Sequence, residues 1–173
     1  MFTIKEFLES EVKPALGCTE PGAVALAVAR AREELSGPVD SVFVTVSDSI
    51  YKNGMDVGIP GTEGLKGNNV AAALAVVCGR SEYGLEVLKD CGADRVKDAM
   101  ALLERGAIKV VPDMDRHGVY VEALLRASGD EAVCRIEGTH TNIVEVVLNG
   151  TVLFSVAPSE EDKPGRSIPD EVA

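Results

Sequence analysis

The hydrophobic period of this chain changes at Gly106. Before it, apolar residues recur at helical spacing; after it they alternate, so the two parts cannot be the same kind of element. Phe2 to Val12 places Ile4, Phe7 and Leu8 on one helical face and stops at Pro14. Thr19 reads as an N-cap, with Glu20 and Pro21 in a first turn that favours both. That helix runs through Ala23, Val24, Leu26, Ala27, Val28 and Ala31 to a Leu35-Ser36-Gly37-Pro38 stop. Ser41 to Ser47 alternates and is valine-rich, which predicts a strand. A glycine-rich loop is expected from Lys52 to Gly67, long enough to suggest that it binds something. Helices follow at Val70–Cys78 (capped by Asn68 or Asn69), Glu82–Asp90 and Ala93–Arg105, where Val96, Met100 and Leu103 share a face and Gly106 closes the end.

Beyond Gly106 the expected strands are 107–111, 119–127, 132–137, 142–148 and 151–156. Asn149-Gly150 is a strong hairpin signal, and short connections imply antiparallel neighbours. Helices first and a meander last predict an α+β fold: N-terminal helices, then a mostly antiparallel sheet of four to five meandering strands plus one earlier strand. Residues 1–157 form one domain in this reading. Residues 158–173, charged and without a period, form a flexible tail or linker.

Composition limits the core and the partners. With 46% hydrophobic residues but no Trp and 4% aromatics, the core must be built from Ala, Val, Leu and Ile. The longest apolar stretches end at Arg30 and Arg80, short of a membrane span, and the first residues lack a signal-peptide pattern, so a cytoplasmic location is expected. A net charge of −11 argues against nucleic acid, whose affinity comes largely from Lys and Arg on phosphates. Neither a P-loop nor a dinucleotide glycine pattern is present. Glu33-Glu34 and Glu160-Glu161 read as solvated charge. Cys18, Cys78, Cys91 and Cys134 fit no zinc or redox spacing, and without a secretion signal disulfides are not expected; the last three read as small apolar core residues.

Three segments can carry chemistry. In Gly17-Cys18-Thr19-Glu20-Pro21 a thiol precedes a helix N-terminus, a position that lowers a cysteine's pKa and favours the metal-binding or nucleophilic thiolate, although a buried cysteine at a helix entrance fits equally. The Lys52-Asn53-Gly54 to Gly67 loop offers backbone N–H groups to an anion such as a carboxylate, or is a surface loop needing positive φ. Gly138-Thr139-His140-Thr141-Asn142 sets an imidazole between hydroxyls and an amide, where it can grip a carboxylate or act as a base. His117, in an expected hairpin turn, reads as solvated.

Glu11-Val12-Lys13-Pro14-Ala15-Leu16-Gly17-Cys18-Thr19-Glu20-Pro21 resembles the N-terminal motif of the L-cysteine desulfidase family, related to iron–sulfur serine dehydratase alpha chains. The resemblance continues in order through Lys52-Asn53-Gly54, Pro60-Gly61-Thr62, Gly84 to Asp90 and His140-Thr141-Asn142-Ile143-Val144. It implies a lyase with a [4Fe–4S] cluster held by three cysteines, eliminating sulfide from L-cysteine or water from L-serine to give pyruvate and ammonia. Cys18 would be one ligand. The others belong to a helical C-terminal domain or separate subunit, so the cluster is expected to be absent from this chain alone and the isolated chain inactive. Cys78, Cys91 and Cys134 fall on no cluster motif. Asn53, Gly54, Thr141 and Asn142 would position the amino-acid substrate, with His140 as base or carboxylate ligand. Homo-oligomers fit this reading; nucleic-acid and membrane partners do not. The rivals are a non-catalytic amino-acid-binding or subunit-docking module, and a thiol enzyme using Cys18 with His140 as its base.

Overall fold

A computed structural model describes residues 17–156. The helix expected at 2–12, the first part of the Glu11–Pro21 motif and the 158–173 segment lie outside the described residues. The elements are α1 (Thr19–Arg32), β1 (Val39–Ser47), α2 (Asp48–Gly54), α3 (Asn68–Cys78), a 3-10 segment (Ser81–Glu86), α4 (Ala93–Glu104), β2 (Ile108–Asp113), β3 (Tyr120–Ala127), β4 (Asp130–Glu137), β5 (Ile143–Leu148) and β6 (Thr151–Ser155). The fold is α+β: helices first, then a mixed, mostly antiparallel sheet in the order β2-β1-β3-β4-β5-β6. None of the described helices is long and apolar enough to cross a membrane.

The alanine-rich composition becomes the packing scheme. Every residue of α1 from Pro21 to Ala29 is buried, so this helix has no solvent face. One side lies on β3 and β4, and another meets α3, whose residues Val70 to Ala75 are also buried. Small side chains let the two helices approach closely: a Cβ on Gly79 would sit 2.9 Å from the Ala29 methyl. α4 packs outside α3. The strands contribute alternate residues to the same core, among them Val42, Val44 and Val46 on β1, Val121, Ala123 and Leu125 on β3, and Ala132, Cys134 and Ile136 on β4.

Several local expectations are corrected. Cys18, not Thr19, occupies the N-cap of α1, and the helix ends at Arg32, whose guanidinium then bonds the carbonyls of Leu35 and Gly37. Lys52-Asn53-Gly54 is not loop but the end of α2, because burying Ile50 outweighs the poor helix propensity of Asn and Gly. The segment 82–90 is not a regular helix; Gly84, at φ 56°, breaks it. β2 is not a hairpin partner of β3. It runs parallel to β1 at the sheet edge, and β1 sits between the two. His117 therefore lies in a crossover over the end of β1, exposed as expected. The adjoining Gly118 carbonyl is held by the buried Ser47 hydroxyl at 2.7 Å.

The cysteines hold the largest surprise. Cys78 and Cys91 form a disulfide, joining the last residue of α3 to the segment that precedes α4. The chain between them doubles back through the 3-10 segment, an excursion that spacing alone does not reveal.

Candidate active site

The N-terminus of α1 is where the chemistry-bearing residues collect. Gly17, at φ +88°, lets the chain turn into the helix and leaves room for Pro60, whose ring a Cβ here would meet at 3.1 Å. Cys18 lies beside a shallow crevice bounded by Gly22, Pro60, Leu85, Val87 and Leu88. The Cys18 thiol is half-buried and donates to Glu20 Oε2 at 2.6 Å, and the Thr19 hydroxyl donates to the same oxygen at 3.2 Å. The other carboxylate oxygen, Glu20 Oε1, faces His140 Nε2 at 4.0 Å. His140 arrives from the β4–β5 turn, more than a hundred residues away in sequence.

The electrostatics reverse one expectation. Burial raises the Cys18 pKa, and the hydrogen bond to Glu20 raises it further. The backbone N–H groups of Glu20 and Thr19 do lower it, as a helix N-terminus should, but they lose to burial and the neighbouring carboxylate. The resting group is a thiol whose proton points at a base. Glu20 behaves conversely: burial alone would push it up, but the Cys18 thiol, its own N–H, the Thr19 hydroxyl and His140 together hold it below the usual carboxylate range.

The remaining candidates fall into two groups. Thr141 and Asn142 follow His140 in the same turn. Thr141 is half-buried, and Asn142 is exposed with its amide donating to the Glu137 carbonyl at 2.8 Å. Asn53 and Gly54 lie on α2, where Asn53 is exposed and Gly54 is buried beneath Asn68. No hydrogen bond or ion pair found among the described residues links α2 to the Cys18–Glu20–His140 group. Glu20 is the residue that sequence reasoning missed. Its signal was present, a carboxylate two residues after a cysteine at a helix start, but it had been read only as a favourable first-turn charge.

Whether these residues suit an iron–sulfur cluster can be judged from the donors. Among the described residues no three His, Cys, Asp or Glu side chains come together as a metal-binding group. Cys78 and Cys91 are used up in the disulfide. Cys134 is sealed under α1, and burial pushes its thiol up to about 12. Cys18 is the one free, half-exposed thiol described. Among the described residues a cluster would thus find one accessible free thiol, that of Cys18, and its other ligands would have to come from elsewhere.

No family model matches the chain. It is similar to UPF0597 proteins of Kosmotoga olearia (40% identical over 166 residues, 95% of this chain and 39% of the relative). A second, from Nitratidesulfovibrio vulgaris strain Miyazaki F, is 44% identical over 170 residues, 98% of this chain and 37% of the relative. A third, from Caldanaerobacter subterraneus, is 44% identical over 164 residues, 94% of this chain and 38% of the relative. The chain thus spans less than two fifths of the length of these curated relatives.

Proposed function

We propose that this chain is the N-terminal domain of a cytoplasmic iron–sulfur amino-acid lyase, related to L-cysteine desulfidase and iron–sulfur serine dehydratase. It would eliminate sulfide from L-cysteine or water from L-serine, giving pyruvate and ammonia. The observation that carries the reading is the meeting of Cys18, Glu20 and His140, which brings two separate pieces of the resemblance together. When bound, the [4Fe–4S] cluster would supply an iron with an open position, a Lewis acid for the leaving sulfur or oxygen.

The chain's own residues have the remaining roles. Cys18 would be a ligand, and it must lose its proton to become one. Glu20 Oε2 accepts that proton's hydrogen bond and, held below the usual carboxylate range, would pass the proton to solvent and stay ionised. His140 would take the substrate's Cα proton, and Glu20 Oε1 would orient the ring and stabilise the imidazolium. Thr141 and Asn142, beside His140, would hold the substrate carboxylate so that the Cα proton and the Cβ leaving group align. Asn53 and Gly54 would keep the positioning role that the resemblance implies, Asn53 from the exposed side of α2 and Gly54, buried beneath Asn68, by setting how α2 packs.

The test is anaerobic reconstitution with iron and sulfide. The chain is treated alone and together with the part of a UPF0597 relative lying outside the match. A brown sample that makes pyruvate from L-cysteine or L-serine only when both parts are present supports the lyase. In that assembly Cys18→Ala should remove the cluster, and His140→Ala should remove turnover while the colour stays. A stable cluster on this chain alone would contradict the single-ligand reading. Turnover without iron would favour a thiol enzyme, and a ligand-binding assembly with no turnover would favour a non-catalytic module.

A further inference from the structure

We propose that the sheet face turned away from the helices docks a second copy of this chain, about a two-fold axis running along an apolar row across the strands. This inference does not rest on the lyase reading. The strand register places Phe43, Leu124, Val133, Val147 and Val152 opposite one another on β1, β3, β4, β5 and β6. On β1, β3, β4 and β5 they alternate with the core residues and so point outward, and Val152 shares that side through its pairing with Val147. Phe43 and Val152 are 41% and 54% exposed, and the middle three are half-buried. An apolar residue in register on five consecutive strands is a continuous stripe, not scattered surface hydrophobics.

Polar rows border the stripe on both sides. Two residues along, the row reads Thr45, Glu122, Arg135 and Glu145, with Arg135 bonded to both glutamates. Two residues the other way it reads Ser41, Arg126 and Glu131, with Arg126 bonded to Glu131. A two-fold axis along the stripe keeps each strand over its counterpart and exchanges the two rows. Glu122 then faces the partner's Arg126, Arg135 faces the partner's Glu131, and the hydroxyls of Thr45 and Ser41 meet. Opposite signs fall at both charged positions, so the pattern is complementary to itself under this one operation.

Charge and area both permit the dimer. The net charge of −11 would oppose self-association, but the stripe and its two borders set Glu122, Glu131 and Glu145 against Arg126 and Arg135, with Lys109 of β2 beside Phe43 at the edge as a third cation. Five strands about 4.8 Å apart, from five residues long in β6 to nine in β1, present on the order of 600 Å² before side-chain relief. That approaches the roughly 800 Å² per partner of a standard interface. Two twisted sheets packing face to face touch most closely at their centre, where Leu124 and Val133 lie. The 158–173 segment is a poor alternative cover, since Ile168 and Val172 are its only large aliphatic residues.

Sedimentation of the 173-residue chain tests the proposal. The chain should be dimeric, and Val133→Glu should make it monomeric with an unchanged far-UV spectrum. Two charge-depleted forms provide a second test that does not disturb the stripe: Glu122→Gln with Glu131→Gln, and Arg126→Gln with Arg135→Gln. Each alone should self-associate at least about tenfold more weakly. Mixed, they should form a heterodimer in preference to either homodimer, because the arginines of one then meet the glutamates of the other. A dimer indifferent to both series would lie on another surface and overturn the proposal. A chain monomeric at every concentration would also overturn it, giving the face to segment 2–12 or to the further length of the relatives.

Discussion

Gly54→Ala decides whether the Lys52-Asn53-Gly54 motif is held by packing. A Cβ at Gly54 would overlap Asn68 Oδ1 and lie 2.6 Å from its Nδ2 and 2.7 Å from its Cγ. Asn68 cannot yield cheaply. It is 4% exposed, its Nδ2 donates to the Ile50 carbonyl at 3.2 Å, and it opens α3 directly before the buried run that packs on α1. Displacing it forfeits that hydrogen bond and strands a buried amide, a cost of about 1–3 kcal/mol. Overpacking adds about 1–3 kcal/mol more. Against this stands the gain from replacing glycine by alanine in a helix, at most about 1 kcal/mol and less at a helix end. The destabilising effects win, by about 1–6 kcal/mol.

Urea unfolding followed by far-UV circular dichroism reads this directly, as a lower midpoint with an unchanged slope. The second half of the cycle is Asn68→Ala. It vacates the space the new methyl needs and removes Oδ1, which has no hydrogen-bond partner among the described residues. The double variant should therefore be more stable than the sum of the two singles predicts, with a coupling of about 1 kcal/mol or more. A neutral or stabilising Gly54→Ala, or strict additivity, would refute the packing argument. A raised KM in the assembled enzyme at unchanged stability would instead place the glycine against substrate.

The remaining predictions concern sulfur. The hydrogen bond to Glu20 and its negative charge raise the Cys18 pKa, so Glu20→Gln should move the pH profile of Cys18 alkylation to lower pH; an unchanged or upward-shifted profile would refute the coupling. Denatured without reductant, the chain should offer two thiols, Cys18 and Cys134, and four once reduced. With 13 residues of sequence separation, the crosslink should be worth about 3 kcal/mol by loop closure, so Cys91→Ser should lower the urea midpoint accordingly. Four thiols without reductant would remove the crosslink.

What could be read from the sequence was local. The change of period at Gly106, the amphipathic 93–105 segment and the Asn149-Gly150 hairpin all act through neighbouring residues, and all reappear as elements. Asn149 and Gly150 both take the positive φ that such a turn requires. Apart from the N-cap at Cys18 and the break at Gly84, the misreadings were tertiary. The short link after β2 suggested a hairpin, but hydrogen bonding to the far side of β1 gave the parallel neighbour. Lys52-Asn53-Gly54 looked like loop because its propensity is poor, yet burial of Ile50 made it helix. Cys18 looked acidic because a helix N-terminus was visible, whereas the burial and the carboxylate that oppose it depend on how the chain closes. His140 belonged to a separate motif, and nothing in the spacing joined it to Glu20.

The same topology keeps the two proposed functions apart. α1 is buried from Pro21 to Ala29, so only its ends present side chains outward, and the N-terminal end does so on the helix side of the sheet. The apolar stripe alternates with the residues that α1 covers and therefore looks the opposite way. A copy docked on the stripe would leave Cys18 and its crevice open to a cluster-bearing partner. The pH profile of Cys18 alkylation should thus be the same in the Val133→Glu monomer as in the native dimer. A shift between them would mean that the faces are coupled through the sheet, and the most direct route for that coupling is β4, which carries Val133 outward and leads into the turn that holds His140.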